Sequence, residues 1–196
     1  MIEKKSSVVQ KKVRLIAVLG KTANEAAMLL TKILRSAGFI ASFLNQHDNN
    51  WKDALKTAGK VCDFIILDAS LLKEDAFEEF NLETVLVLCD VDKIDIKLFK
   101  GFKNIVLPYS LSEELTSKEK NMLFYSMNNN EADLIAKNIN PQEDRTVFEL
   151  LGTGVIGRVK LSKSSGLSVE LVLAVSSALV AMGVPLAAVL NVINQL

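Results

Sequence analysis

The sequence has little of what builds a cross-linked or metal-held scaffold. Of 196 residues two are cysteine, Cys62 and Cys89, and one is histidine, His47. Both cysteines sit in apolar runs, where a small buried hydrophobe is expected; they cannot form a disulfide framework. A lone histidine without a CxxC pair leaves structural zinc without a ligand set. His47 itself stands in a polar loop, with no serine or cysteine at nucleophile-elbow spacing, and GxSxG does not occur. Charge of one sign is also missing: 23 basic side chains balance 23 acidic ones, with a pI near 6.6. No overall field draws in nucleic acid. Trp51 and the phenylalanines do not alternate with basic residues, so a stacking platform for single strands is not indicated either.

What is present is apolar side chain, 49% of the total, which with zero net charge excludes disorder and supplies a core for a domain of ordinary size. The start is basic (Lys4, Lys5, Lys11, Lys12, Arg14), but the apolar run over residues 15–19 is shorter than a signal-peptide core. Residues 1–12 are therefore read as a basic, solvated tail and residues 13–196 as one domain. Residues 167–190 pass a loose hydropathy window. Glu170, Ser176 and Ser177 interrupt them, however, and Gly183-Val184-Pro185 reads as a helix stop followed by a new first turn. A membrane span needs about 20 apolar residues in one element, so two short buried helices are expected. The composition is that of a cytoplasmic protein.

Residues 13–19 form a β-branched, apolar run ending at Gly20. A helix follows over residues 23–37, with Ala26, Ala27, Leu30, Ile33 and Leu34 at helical spacing and Gly38 as its stop. Residues 40–44 are a second short run, and residues 51–58 a short helix. Residues 63–67 (DFIIL), 84–89 (TVLVLC) and 104–107 (NIVL) are further buried strands, with a helix expected over residues 71–80. Strands alternating with helices and lacking a two-residue period predict an α/β fold: a mostly parallel sheet covered on both faces. Residues 122–126, 134–139, 145–151 and 157–161 also read as strands, but turn residues separate them. That predicts a small β-rich extension, an antiparallel meander or a second sheet, before the C-terminal helical pair.

Gly20-Lys21-Thr22 is the segment that suggests a reaction. It follows a strand and opens a helix, as a phosphate-binding loop does, where backbone N–H groups wrap the phosphates, lysine bridges them and the hydroxyl holds Mg²⁺. In GxxxxGKT the first glycine would fall at position 15, which is leucine, inside the strand. Asp68 stands past the DFIIL strand, at the carboxyl edge where open α/β sheets place ligands. It either holds Mg²⁺ through water, together with Thr22, or is an exposed strand-end carboxylate capping the helix that starts near Ser70. Asp90, Asp92 and Asp95, interleaved with Lys93 and Lys97, read as a solvated loop rather than a metal cluster.

The order of these pieces resembles the central, ATP-binding domain of the Mur ligases, which add amino acids to peptidoglycan precursors. Gly20-Lys21-Thr22 and the helix through Ala37-Gly38-Phe39 are similar to that family's P-loop and following helix. Asp63 to Ser70 (DFIILDAS) is similar to its D-x-x-V-x-E-x-S-S, whose acid acts on the metal. Tyr125-Ser126, Ala132 to Ile139 (ADLIAKNI), Val147 to Leu150 (VFEL) and the helices from Ala174 through Leu190 follow in the same order.

The departures matter as much. About three residues of the P-loop have no counterpart. The metal acid corresponds to Asp68, Asp90 and Asp95 fall where the family has Asn and His, and Pro108-Tyr109-Ser110 takes the place of its N-x-D-D. No match is found for the lysine carbamylated in some members, nor for the flanking substrate and amino-acid domains. The resemblance thus implies a Mur-like scaffold in truncated, degenerate form. On one reading it is a non-catalytic binding or regulatory module of cell-wall metabolism, with a protein partner, and Gly20, Lys21 and Thr22 are a vestigial phosphate site. On the other it is an ATP- and Mg-binding subunit that another chain completes.

Overall fold

A computed structural model describes residues 12–45, 50–73, 76–114, 122–152 and 154–196. All but Lys12 of the expected basic tail, and His47, lie outside the described residues.

Strand β1 (Arg14–Leu19) leads into α1 (Ala23–Ser36), β2 (Ala41–Leu44), α2 (Trp51–Val61) and β3 (Phe64–Asp68). Then come β4 (Asn81–Val87), β5 (Asn104–Pro108), β6 (Met122–Ser126), β7 (Leu134–Pro141), β8 (Arg145–Gly152) and β9 (Val155–Ser162). Helices α3 (Val169–Ala181) and α4 (Leu186–Ile193) close the chain. The nine strands form one sheet in the order β2-β3-β1-β4-β5-β6-β7-β8-β9. Every pairing from β2 to β7 is parallel, and β8 and β9 add on antiparallel. The α/β class and mostly parallel sheet are as expected.

Both glycine stops occur. Gly38, at φ +88°, donates to the carbonyl of Arg35 while Phe39 N–H reaches back to Leu34, and Gly183, at φ +79°, repeats the pattern with Val180 and Leu179. This is the Schellman closure, in which a residue with positive φ turns the chain back over the last carbonyls.

Two expectations need correcting. Among the described residues of 71–80 the expected α-helix does not form: a short 3-10 turn spans Ala69–Lys73, and no helix runs over residues 76–80. The buried anchors there, Leu71 and Phe77, are six residues apart and cannot share one helix face. Phe77 instead stacks on Trp51 of α2, ring centroids 5.9 Å apart. Nor is the β-rich region a separate sheet or a pure meander. β6 pairs parallel with β5, and β7 parallel with β6 through only Tyr125↔Leu134 and Ser126↔Ile135. That short overlap lets a brief link join parallel neighbours, because the chain need not return the full length of a strand.

One face of the sheet packs α1, α3 and α4, and the other packs α2 and the 3-10 turns. Helix α3 lies between the sheet, α1 and α4, so every residue from Leu171 to Leu179 is buried. Its all-round apolar surface is that of a core helix. Among the described residues no helix is long and apolar enough to cross a membrane.

Candidate functional site at the carboxyl edge of the sheet

Gly20, Lys21 and Thr22 connect β1 to α1, next to the ends of β3 and β4. Gly20 takes φ +146°, and a Cβ there would lie 2.7 Å from Leu88 Cβ and 2.5 Å from Asp90 Oδ1. Only glycine allows the chain past β4 so closely. Leu88 N–H donates to the carbonyl of Leu19 at 2.8 Å, extending the β1–β4 ladder one step, and the chain then delivers Asp90 against the start of α1.

There, the backbone N–H groups of Lys21 and Thr22 donate to Asp90 Oδ2 at 2.9 and 3.3 Å. Thr22 is the N-cap residue of α1, but its own side chain makes no capping bond. The cap comes from the turn that follows β4. The amides before a helix and its positive dipole end attract anions, and here the anion is a carboxylate of the chain itself. Asp90 Oδ1 is buried without a hydrogen-bond partner among the described residues. The residues present do not fit a phosphate at this place while Asp90 occupies it.

Asp68 ends β3, in register with Val18 of β1. Its Oδ1 accepts from Ser70 N–H at 2.7 Å, opening the 3-10 turn. Asp95 Oδ1 accepts from Lys97 N–H at 3.0 Å and starts another. Asp90, Asp92 and Asp95 are not brought together: among the described residues no three His, Cys, Asp or Glu side chains are grouped to hold a metal. The side chains of Lys21 and Thr22 are exposed.

Beyond the ends of β4, β5 and β6 lies a cavity of about 210 Å³, lined by Cys89, Pro108, Tyr109, Ser110, Tyr125 and Glu170 among others. Tyr125 OH donates to the carbonyl of Val87 at 2.8 Å, and Cys89 Sγ lies 3.2 Å from the phenol oxygen. With the phenol proton directed at Val87, the thiol is the donor of that pair. Burial pushes the Cys89 thiol up to about 12; the contact with Tyr125 opposes the rise, and Glu170, through hydrogen bonding and charge, and the charge of Asp90 add to it. Tyr125 is raised as well, first by burial and then by Cys89. A thiol so held keeps its proton at neutral pH. Cys62 and Cys89, expected as small buried hydrophobes, are both only half-buried, and Cys89 lines this cavity; Pro108-Tyr109-Ser110, which takes the place of N-x-D-D, lines the same space.

This architecture is that of a Mur-ligase-like central domain. The structure of UDP-N-acetylmuramoyl-L-alanyl-D-glutamate–2,6-diaminopimelate ligase superposes with a TM-score of 0.70 at 17% identity, covering 96% of this chain and 47% of that one. A pseudomurein peptide ligase type C from Methanothermus fervidus gives 0.65 at 12%, covering 95% and 50%. MurF ligase from Thermotoga maritima in complex with ADP gives 0.64 at 15%, covering 92% and 48%. At such identities the likeness is one of fold. The chain spans about half the length of the structures it matches. No protein-family model and no curated protein matches the sequence.

Proposed function

We propose that residues 13–196 act as one domain, a non-catalytic binding or regulatory module on the Mur-ligase central-domain scaffold, in peptidoglycan metabolism. The observation that carries this is Asp90 in the anion seat of α1. Gly20, Lys21 and Thr22 are then a vestigial phosphate site, filled from within. Phosphoryl transfer depends on backbone donors and cations aimed at the phosphates. A nucleotide would have to displace a carboxylate bound through charge-assisted hydrogen bonds, worth about 1.5–3 kcal/mol each, and would then share the site with that displaced negative charge.

A second reading is supported by the exposed side chains of Lys21 and Thr22, and by Asp68 at the same edge of the sheet. On it, the chain is an ATP- and Mg-binding subunit completed by another chain, with Asp68 reaching Mg²⁺ through water.

Calorimetric titration with ATP, with and without Mg²⁺, separates the two. The module reading expects no binding near the micromolar range, about 8 kcal/mol, in wild type or in Lys21→Ala. Micromolar binding abolished by Lys21→Ala would overturn it in favour of the subunit.

A further inference from the structure

Among the described residues, the three C-terminal strands of the sheet carry α-helices on one face only. Phe148, Leu150 and Val159 are buried on the side of α3 and α4, which among the described residues are the α-helices packed on β7 and β9. The opposite face follows from the register, since cross-strand partners point the same way. Its first row is Ile135, Leu151 and Ile156, its second Lys137, Glu149 and Arg158, and its third Asn140, Val147 and Lys160. Ile156 is 79% exposed.

Charge is uneven on this face. Lys137, Arg158 and Lys160 stand against one carboxylate, Glu149. Glu149 already accepts from Asn138 Nδ2 at 2.7 Å and from Arg158 at 3.3 Å, which leaves an excess of positive charge beside an apolar row. In a chain with no net charge this is a local feature, not a reflection of composition.

We propose that this face docks a protein segment that is both acidic and apolar. Side chains of leucine or isoleucine size would cover the Ile135–Leu151–Ile156 row, and Asp or Glu would pair with Lys137 and Lys160. A second copy of the chain would present the same positive excess and be repelled in a symmetric contact. The chain's own start carries Lys4, Lys5 and Lys11, again of the wrong sign. A nucleic acid would leave the isoleucine row uncovered and meet Glu149. The proposal rests on the module reading and gives it a partner of stated chemistry.

The test is a ¹⁵N-labelled full chain titrated with a peptide of alternating aspartate and leucine, with a lysine-and-leucine peptide and heparin as comparisons. Amide shifts are expected at Ile135, Leu151 and Ile156 with the acidic peptide alone. Ile156→Asp should weaken binding about tenfold, as loss of an interface anchor does, and Lys137→Glu with Lys160→Glu should do the same, both with unchanged circular dichroism. Shifts confined elsewhere, or binding unaffected by these substitutions, would overturn the proposal. So would equal occupation of the face by heparin, or self-association through it. ATP binding in the calorimeter would overturn the module reading while leaving this surface measurable, so the two failures are told apart.

Discussion

Asp90 Oδ2 accepts the backbone N–H of Lys21 at 2.9 Å, across 69 residues of sequence. A carboxylate from the turn after β4 thereby caps the helix that follows β1, in the seat where a helix N-terminus attracts an anion.

Asp90→Ala should lower the unfolding free energy by about 1–2 kcal/mol, the usual effect of losing an N-cap acceptor. Inorganic phosphate should restore part of the lost melting temperature in the variant and leave wild type unchanged. Equal response of the two proteins to phosphate would show that Asp90 does not occupy an anion seat.

Cys89 gives a pH dependence with a definite sign. Its folded-state value, about 12, lies above the ordinary 9.0, so the folded chain holds the thiol proton more tightly than the unfolded chain. That contribution is fully present below pH 9 and is lost as pH rises toward 12. Urea midpoints should fall across this window, and less steeply in Cys89→Ala. Fast alkylation of Cys89 at neutral pH would contradict the same picture.

Helix α3 offers a matched pair of buried serines. Ser177 Oγ donates to the carbonyl of Leu173 at 2.8 Å, whereas Ser176 Oγ is buried without a partner among the described residues. Ser176→Ala should be neutral or stabilising by up to about 1 kcal/mol, because it removes an unsatisfied hydroxyl. Ser177→Ala should lose about 0.5–1 kcal/mol. Chemical denaturation of the two variants reads the difference directly.

Gly152 ends β8 at φ +153°, and a Cβ there would run into the backbone of Asp133 and Leu134. Gly152→Ala should therefore cost about 2 kcal/mol or more, since backbone cannot move aside as a side-chain tip can. A Cβ at Gly157 would instead meet first the side chains of Leu190 and Leu186. Gly157→Ala should be milder, and Leu190→Ala should relieve it in a double-mutant cycle.

The sequence by itself determined the elements whose signals are local. Runs such as Phe64-Ile65-Ile66-Leu67 read as buried strands because their side chains are apolar on both faces. Gly38 and Gly183 read as helix ends because few other residues take positive φ cheaply. Gly20, Lys21, Thr22 and Asp68 could be placed at one edge of a parallel sheet for the same reason: each follows, or lies one to three residues past, the end of a legible strand. Tertiary structure decided the rest. The helix expected over residues 71–80 gave way to burial of Phe77 against Trp51, a contact that local periodicity does not register. Which way β6 and β7 pair depended on how far they overlap, not on their composition. Sequence pattern placed Asp90 in a solvated loop; only the register of β4 beside β1 brings its carboxylate to the amides of Lys21 and Thr22. A hydrogen bond between residues 69 positions apart leaves no trace in local spacing, because strand order, not chain distance, makes them neighbours.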